Sequence, residues 1–206
     1  MSNFRRRFMM LSKESSAFPS GYTRLQYVDN QGAAYCSTGI LVSGDMTFDL
    51  RICVYQSYSN THYMIAGGGE GNFNQTRNAV GLRCLTGNSL RAVYRLQQSG
   101  STTLTTNEWY NLSLKSDGFY KDETLFQSVT RTTFRATFGR FYLGSYYSNV
   151  VTHTPHFQLI GDCKINDIDF IPAKRDSDDA VGFLNMSTEV FLISNSDTPF
   201  LAGPNY

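Results

Sequence analysis

Residues 46–55 read MTFDLRICVY. Met46, Phe48, Leu50, Ile52 and Val54 fall on one phase, and Thr47, Asp49, Arg51, Cys53 and Tyr55 on the other. A period of two over ten residues is a long strand with one face on a core and the other turned away from it. Working outward, LRAVYRL (90–96) alternates with one exception at Val93, and in WYNLSLK (109–115) Tyr110, Leu112 and Leu114 share a face. Further strands are expected at 24–29, 62–66, 79–85, 119–128, 139–144, 156–171, 179–184 and 188–193. Turn signals separate them: the glycines of 67–71, Thr86-Gly87-Asn88, Ser99-Gly100 and Ser116-Asp117-Gly118. The polar run 97–107 reads as a hairpin loop. Many short strands divided by glycine-rich turns predict an all-β antiparallel sandwich. Within 156–171 the apolar phase slips between Ile165 and Ile168, which predicts a bulge near Asn166-Asp167.

Composition agrees. The chain has 206 residues, 14% aromatic and 17% charged. The usual charged share is about 25%, so its surface is mostly neutral and polar. Cys36, Cys53, Cys84 and Cys163 show no metal-binding spacing and fall in expected strands, so buried free thiols of a reducing compartment are expected. No apolar run approaches the roughly 18 residues of a membrane helix, and Phe8-Met9-Met10-Leu11 is shorter than the apolar core of about 7–15 residues in a secretion signal. No membrane partner and no secretion are expected.

The positive charge is concentrated at the start. Residues 1–16 carry Arg5, Arg6, Arg7 and Lys13 against Glu14, while the remainder holds fourteen basic and sixteen acidic residues. A mildly acidic body is a poor nucleic-acid binder, so no nucleic-acid partner is expected. Phe4, Phe8 and Leu11 recur at helical spacing, and Pro19 and Gly21 stop the pattern. Residues 1–17 therefore read as a short helical, basic arm, and residues 18–206 as the sandwich domain. Phe4, Phe8 and Leu11 would fill an apolar groove on a partner, and Arg5, Arg6 and Arg7 would pair with its acidic groups.

Two stretches carry a family resemblance: FPSGYTRLQYVDNQGAAYCSTGI (18–40), and KINDIDFIPAKRDSDDAVGFLNMSTEVFLI (164–193) followed by FLAGP (200–204). They resemble a concanavalin A-like, LamG-type jelly-roll family found in tailed phages and mobile elements of gut Bacteroides-like bacteria. Trp109 before an alternating Leu-Ser-Leu fits the central strand of such domains. The family's Tyr-Asp pair is replaced by Phe183-Leu184, and its glycine-rich loop by Asn195-Ser196-Asp197-Thr198-Pro199 ahead of Phe200. The resemblance implies a two-sheet jelly roll and a structural virion protein, a head fibre or decoration subunit that is made in the host cytoplasm and self-associates on the particle. Phage capsid or other virion proteins are then the partners of the arm.

No catalytic constellation stands out. A glycosidase needs two carboxylates about 5–9 Å apart; the nearest pair, Asp167 and Asp169, shares a strand face and lacks the glutamates of the usual pattern. A glycoside hydrolase is the least favoured reading. His153 and His156 stand at a chelating spacing without further ligands, and His62 has no visible partner. Asp117, Asp122 and Asp162 are loop carboxylates without a calcium-loop pattern, so no metal and no cofactor are expected. A lectin-like module is the alternative to the virion protein, since sugar binding needs only an exposed aromatic platform with amides or carboxylates beside it. The densest candidates are Tyr146, Tyr147 and Asn149, with Tyr55 and Tyr58 second.

Overall fold

The alternation around Leu50 forms a strand, Phe48–Val54, whose core-phase residues Phe48, Leu50, Ile52 and Val54 are each at most 2% exposed. The structure, a computed structural model, describes residues 18–57, 63–70, 78–95, 100–147 and 156–206, with the backbone alone described at 137, 138, 146 and 147. The predicted helical arm of residues 1–17, with Phe4, Arg5, Arg6, Arg7, Phe8 and Leu11, lies outside the described residues.

The strands run in chain order β1 (Tyr22–Arg24), β2 (Val28–Asp29), β3 (Cys36–Ser43), β4 (Phe48–Val54), β5 (Tyr63–Gly69), β6 (Ala79–Leu85), β7 (Ser89–Tyr94), β8 (Ser101–Thr103) and β9 (Trp109–Lys115). They continue as β10 (Gly118–Lys121), β11 (Thr124–Ser128), β12 (Arg135–Leu143), β13 (Tyr146–Tyr147), β14 (Gln158–Ile165), β15 (Ile168–Arg175), β16 (Val181–Asn185), β17 (Phe191–Leu192) and β18 (Leu201–Ala202). The larger sheet has the order β11-β10-β9-β4-β14-β15-β16-β17, with β1, β2 and β18 attached. The smaller runs β3-β12-β5-β6-β7-β8, with β13 beside β5. Pairing is antiparallel throughout except for β13, which runs parallel to β5. The chain is an all-β sandwich, and among the described residues its one helical element is a 3-10 turn at Thr86–Asn88 between β6 and β7.

The core lies between the sheets. Phe48 of β4 meets Phe141 of β12 across the gap at 5.4 Å and Phe119 of β10 at 6.1 Å. Phe170, Phe183 and Phe200 are each buried, the last two packed edge to face at 5.7 Å. Phe200 keeps its packing although the loop before it departs from the family pattern, and Asn195 ties that loop to β3 by accepting from the Ser37 N–H at 2.7 Å. All four cysteines are buried, unpaired and in strands.

Three readings need correction. The phase slip in 156–171 is a hairpin turn, not a bulge: Asn166 and Asp167 have φ of 47° and 64° between the paired ends Ile165 and Ile168. Both turn residues being left-handed is the type I′ signature that matches the strand twist. The expected strand 119–128 is likewise a hairpin, β10–β11, turning at Asp122 and Glu123 with positive φ. Gly67, Gly68 and Gly69 are not a turn but the end of β5. A Cβ on Gly68 would sit 1.8 Å from the Arg140 carbonyl oxygen, so glycine there admits the β12 backbone.

Strands β14 and β15 diverge beyond Cys163 and Phe170, and both ends of the described body fill the fork. β1 pairs with the far half of β15, Tyr22 opposite Arg175, and β2 pairs with the near end of β14, Val28 opposite Ile160. β18 closes the other side of β2, and Gln26 N donates to the Pro204 carbonyl at 2.9 Å. The two family-like stretches are therefore one structural unit.

Candidate ligand-binding face

The register of β4 fixes a second cluster, on the face away from the core. Cys53 lies opposite Trp109 and Arg51 opposite Asn111 of β9. Since Tyr110, Leu112 and Leu114 are buried inward, Trp109 and Asn111 must turn outward; Trp109 is half-buried and Asn111 exposed. Opposite Arg51 on the other side, the β4–β14 ladder slips between Ile160 and Cys163. Gly161 lies in that bulge, and a Cβ there would stand 3.3 Å from Arg51 Cδ and Cγ. The missing side chain lets Arg51 lie flat, with its guanidinium 4.4 Å over the Trp109 ring. Tyr27 completes the aromatic pair at 5.6 Å from Trp109, tilted 47°.

The cluster continues toward the fork. Arg24 donates from Nη2 to Asp162 Oδ2 at 2.7 Å and covers the Tyr206 ring at 3.9 Å. Arg24 Nε and Asp162 Oδ1 are buried atoms without a hydrogen-bond partner. Burial raises the Asp162 pKa above the ordinary carboxylate value, opposed by Arg24 and Arg51. Six side chains thus form a strip on a rigid sheet face: Tyr206, Arg24, Asp162, Arg51, Trp109 and Tyr27. Its parts are polar donors, a carboxylate and aromatic rings. The alternation in WYNLSLK already turns Trp109 outward. Its meeting with Arg51 depends on strand register and on Gly161, which the local sequence does not state.

A cleft of about 600 Å³ opens elsewhere, lined by Ser43, Asp45, Thr47, Ser116, Phe134 and Arg135 among others. Its other arginine, Arg131, is spent on structure: it donates to the carbonyls of Gly44 (2.9 Å), Met46 (2.8 Å), Ser116 (3.2 Å) and Lys115. Asp45 is held below the usual carboxylate range by a hydrogen bond from Ser43.

The tyrosines singled out from sequence fall as follows. Tyr55 is half-buried, donates its hydroxyl to Asp29 Oδ1 at 2.8 Å and packs edge-on against Phe157 at 5.8 Å. Tyr146 and Tyr147 form β13 beside Gly67 and Gly68. Tyr58 and Asn149 lie outside the described residues, as do His62 and His153. His156 is buried, its ring nitrogens 3.0 Å from the Phe157 carbonyl and 3.3 Å from Asn88 Oδ1, and burial lowers its pKa. Asp167 and Asp169 do not share a strand face: Asp167 occupies the hairpin turn, and Asp169 is in β15, 3.4 Å from Lys164. Asp117 accepts from the Tyr120 hydroxyl, Asp122 accepts from the Asn111 N–H, and Asp162 stands in the outer strip, so these three carboxylates do not converge. Among the described residues no group of three metal-ligating side chains occurs.

No family model matches the chain, and no curated protein matches it. Solved structures do. A "putative carbohydrate binding protein" of Bacteroides ovatus superposes with a TM-score of 0.54 at 14% identity, over 87% of this chain and 62% of that one. The fold is a concanavalin A-like jelly roll. A sialidase of Trypanosoma rangeli, a mutant with trans-sialidase activity, gives 0.44 at 16% identity over 59% of this chain and 20% of that one. A heptameric pentraxin of Limulus polyphemus gives 0.44 at 10% identity, over 70% and 74%. The chain spans about a fifth of the sialidase's length and 62% of the Bacteroides protein's.

Proposed function

We propose that this chain is a non-catalytic, lectin-like module that binds glycans on the outer face of its larger sheet. The Tyr27–Trp109–Arg51 strip carries the reading: aromatic surface and spare hydrogen-bonding groups are held side by side on paired strands. Sugars are recognised by that combination, an apolar ring face against an aromatic and hydroxyls against polar groups. The shared jelly roll with the Bacteroides ovatus protein supports it. The division of Asp167 from Asp169 supports the absence of glycosidase chemistry through that pair. Titration of the full chain against a broad panel of glycan oligomers tests it. Binding that is lost in Tyr27→Ala and Asn111→Ala is expected; flat titrations across the panel overturn it.

The finer reading rests on the family resemblance. The module is displayed on a tailed-phage particle as a fibre or decoration subunit, anchored by residues 1–17 and self-associated to suit the symmetry of its attachment sites. Mass spectrometry of density-purified particles should find the chain in stoichiometric amount, and deletion of residues 1–16 should release it. Absence from particles removes the virion role and leaves the glycan reading untouched.

A further inference from the structure

We infer that the glycan bound at this face carries a carboxylate, and that Arg51 receives it. The inference rests on the glycan reading and adds a ligand class to it.

Three other arginines show the contrast. Arg131 donates to four main-chain carbonyls, Arg175 forks onto Asp178 at 2.9 and 2.6 Å, and Arg24 is paired with Asp162. The Arg51 guanidinium makes no hydrogen bond among the described residues, although it is held 4.4 Å over Trp109 and the stem lies across Gly161. A planar cation stacked on an indole has lost much of its side-chain freedom before any ligand arrives, while its five in-plane donors stay open. A carboxylate matches that fork with two parallel charge-assisted bonds. The protein's own nearest candidate, Asp162, is already engaged by Arg24 through Oδ2. Asn111, opposite Arg51 in register and exposed, offers an amide to the neighbouring hydroxyls. With one face of Trp109 capped by Arg51, a neutral sugar finds less stacking surface than a free indole gives, whereas an acidic sugar meets the cap itself.

The test uses the full chain in calorimetric titrations with trigalacturonate and trimannuronate, each beside its methyl ester, and with neutral xylan, galactan and glucan oligomers. At low salt, at least one acid should bind about ten-fold tighter than its ester, since charge-assisted bonds are roughly twice as strong as neutral ones. Raising the salt to about 0.5 M should shrink the preference, because half-exposed ion pairs are screened. Arg51→Gln should bring acid down to ester, and Arg51→Lys, which keeps charge but not the fork, should fall between. Thermal melts of both variants establish that the body is folded. Ester or neutral oligomers binding as well as the acids overturn the carboxylate inference and keep the glycan reading. Acid binding unchanged in Arg51→Gln overturns the assignment to Arg51. No binding to any saccharide overturns both.

Discussion

Two polar clusters meet at β14, one closed in the core and one on the outer face, and they differ in how far they are open to solvent. Inside, Asn30 is fully buried and its amide is saturated: Nδ2 donates to the His156 carbonyl at 2.7 Å, and Oδ1 accepts from the N–H groups of Gly32 and Gln158 at 3.1 and 2.9 Å. Gln158 Nε2 continues the chain to the Ile65 carbonyl, joining the two sheets, while its Oε1 is buried without a partner. Outside, Arg24 Nε and Asp162 Oδ1 are also unmet, but the side chains that carry them are 35% and 39% exposed. Buried polar groups are matched because an unmatched one costs about 1–3 kcal/mol. The inner cluster, closed to solvent, reads as fold, and the outer one, open at the surface, as capacity to bind something else.

Substitutions should separate the two. The largest loss of stability is expected for Asn30→Ala, which strands three main-chain groups; about 3 kcal/mol in urea unfolding is the expected order, with glycan affinity unchanged in the folded fraction. If the loss is under 1 kcal/mol, the inner cluster does not hold the fold together. His156 comes next. Its pKa is lowered in the folded state, so below the ordinary histidine value of about 6.5 the unfolded chain holds a proton that the native one lacks. Stability should fall as pH drops through that window, by up to about 1.4 kcal/mol per unit. Asp162, with its raised pKa, acts in the opposite sense nearer the carboxylate range. The difference between the parent and His156→Gln isolates the histidine contribution, and equal slopes would remove it. Gly161→Ala should cost about 1 kcal/mol or less while displacing Arg51 from Trp109, so tryptophan fluorescence and glycan affinity should shift more than the melting temperature. Smallest in stability is Arg51→Gln, expected within about 0.5 kcal/mol of the parent while abolishing acid preference. A large destabilisation there would make Arg51 part of the fold and undo the contrast.

The sandwich was legible because period two is local. MTFDLRICVY needs no partner to announce which residues face inward, and WYNLSLK likewise. The hairpins were harder, because Asn166-Asp167 and Asp122-Glu123 lack the glycine that commonly marks a tight turn, and their left-handed backbone is visible only as a change of phase. Cys36 was expected in a strand, but the extent of Cys36–Ser43 was not legible: Gly39 and its hydroxyl neighbours dilute the alternation, and pairing with β12 supplies the order. Gly67–Gly69 misled for the opposite reason. Glycine marks a turn when the chain must bend and a strand when a neighbouring backbone must come close, and local sequence does not distinguish the two. The outer strip was the least legible. Arg24, Asp162, Arg51 and Trp109 come from four separated segments, and the tyrosine-rich loops drew attention by density alone.

The fork between β14 and β15 sets an order of events for folding. Residues 22–29 find their partners only at 158–175 and 201–206. Loops that long are entropically costly to close, and folds built on such distant pairings assemble slowly. During synthesis β1 and β2 must wait unpaired until β14, β15 and β18 have emerged, carrying exposed edges that other chains could capture. Truncation after residue 200 should therefore show itself first as aggregation during expression, before any effect on the ligand face is measured.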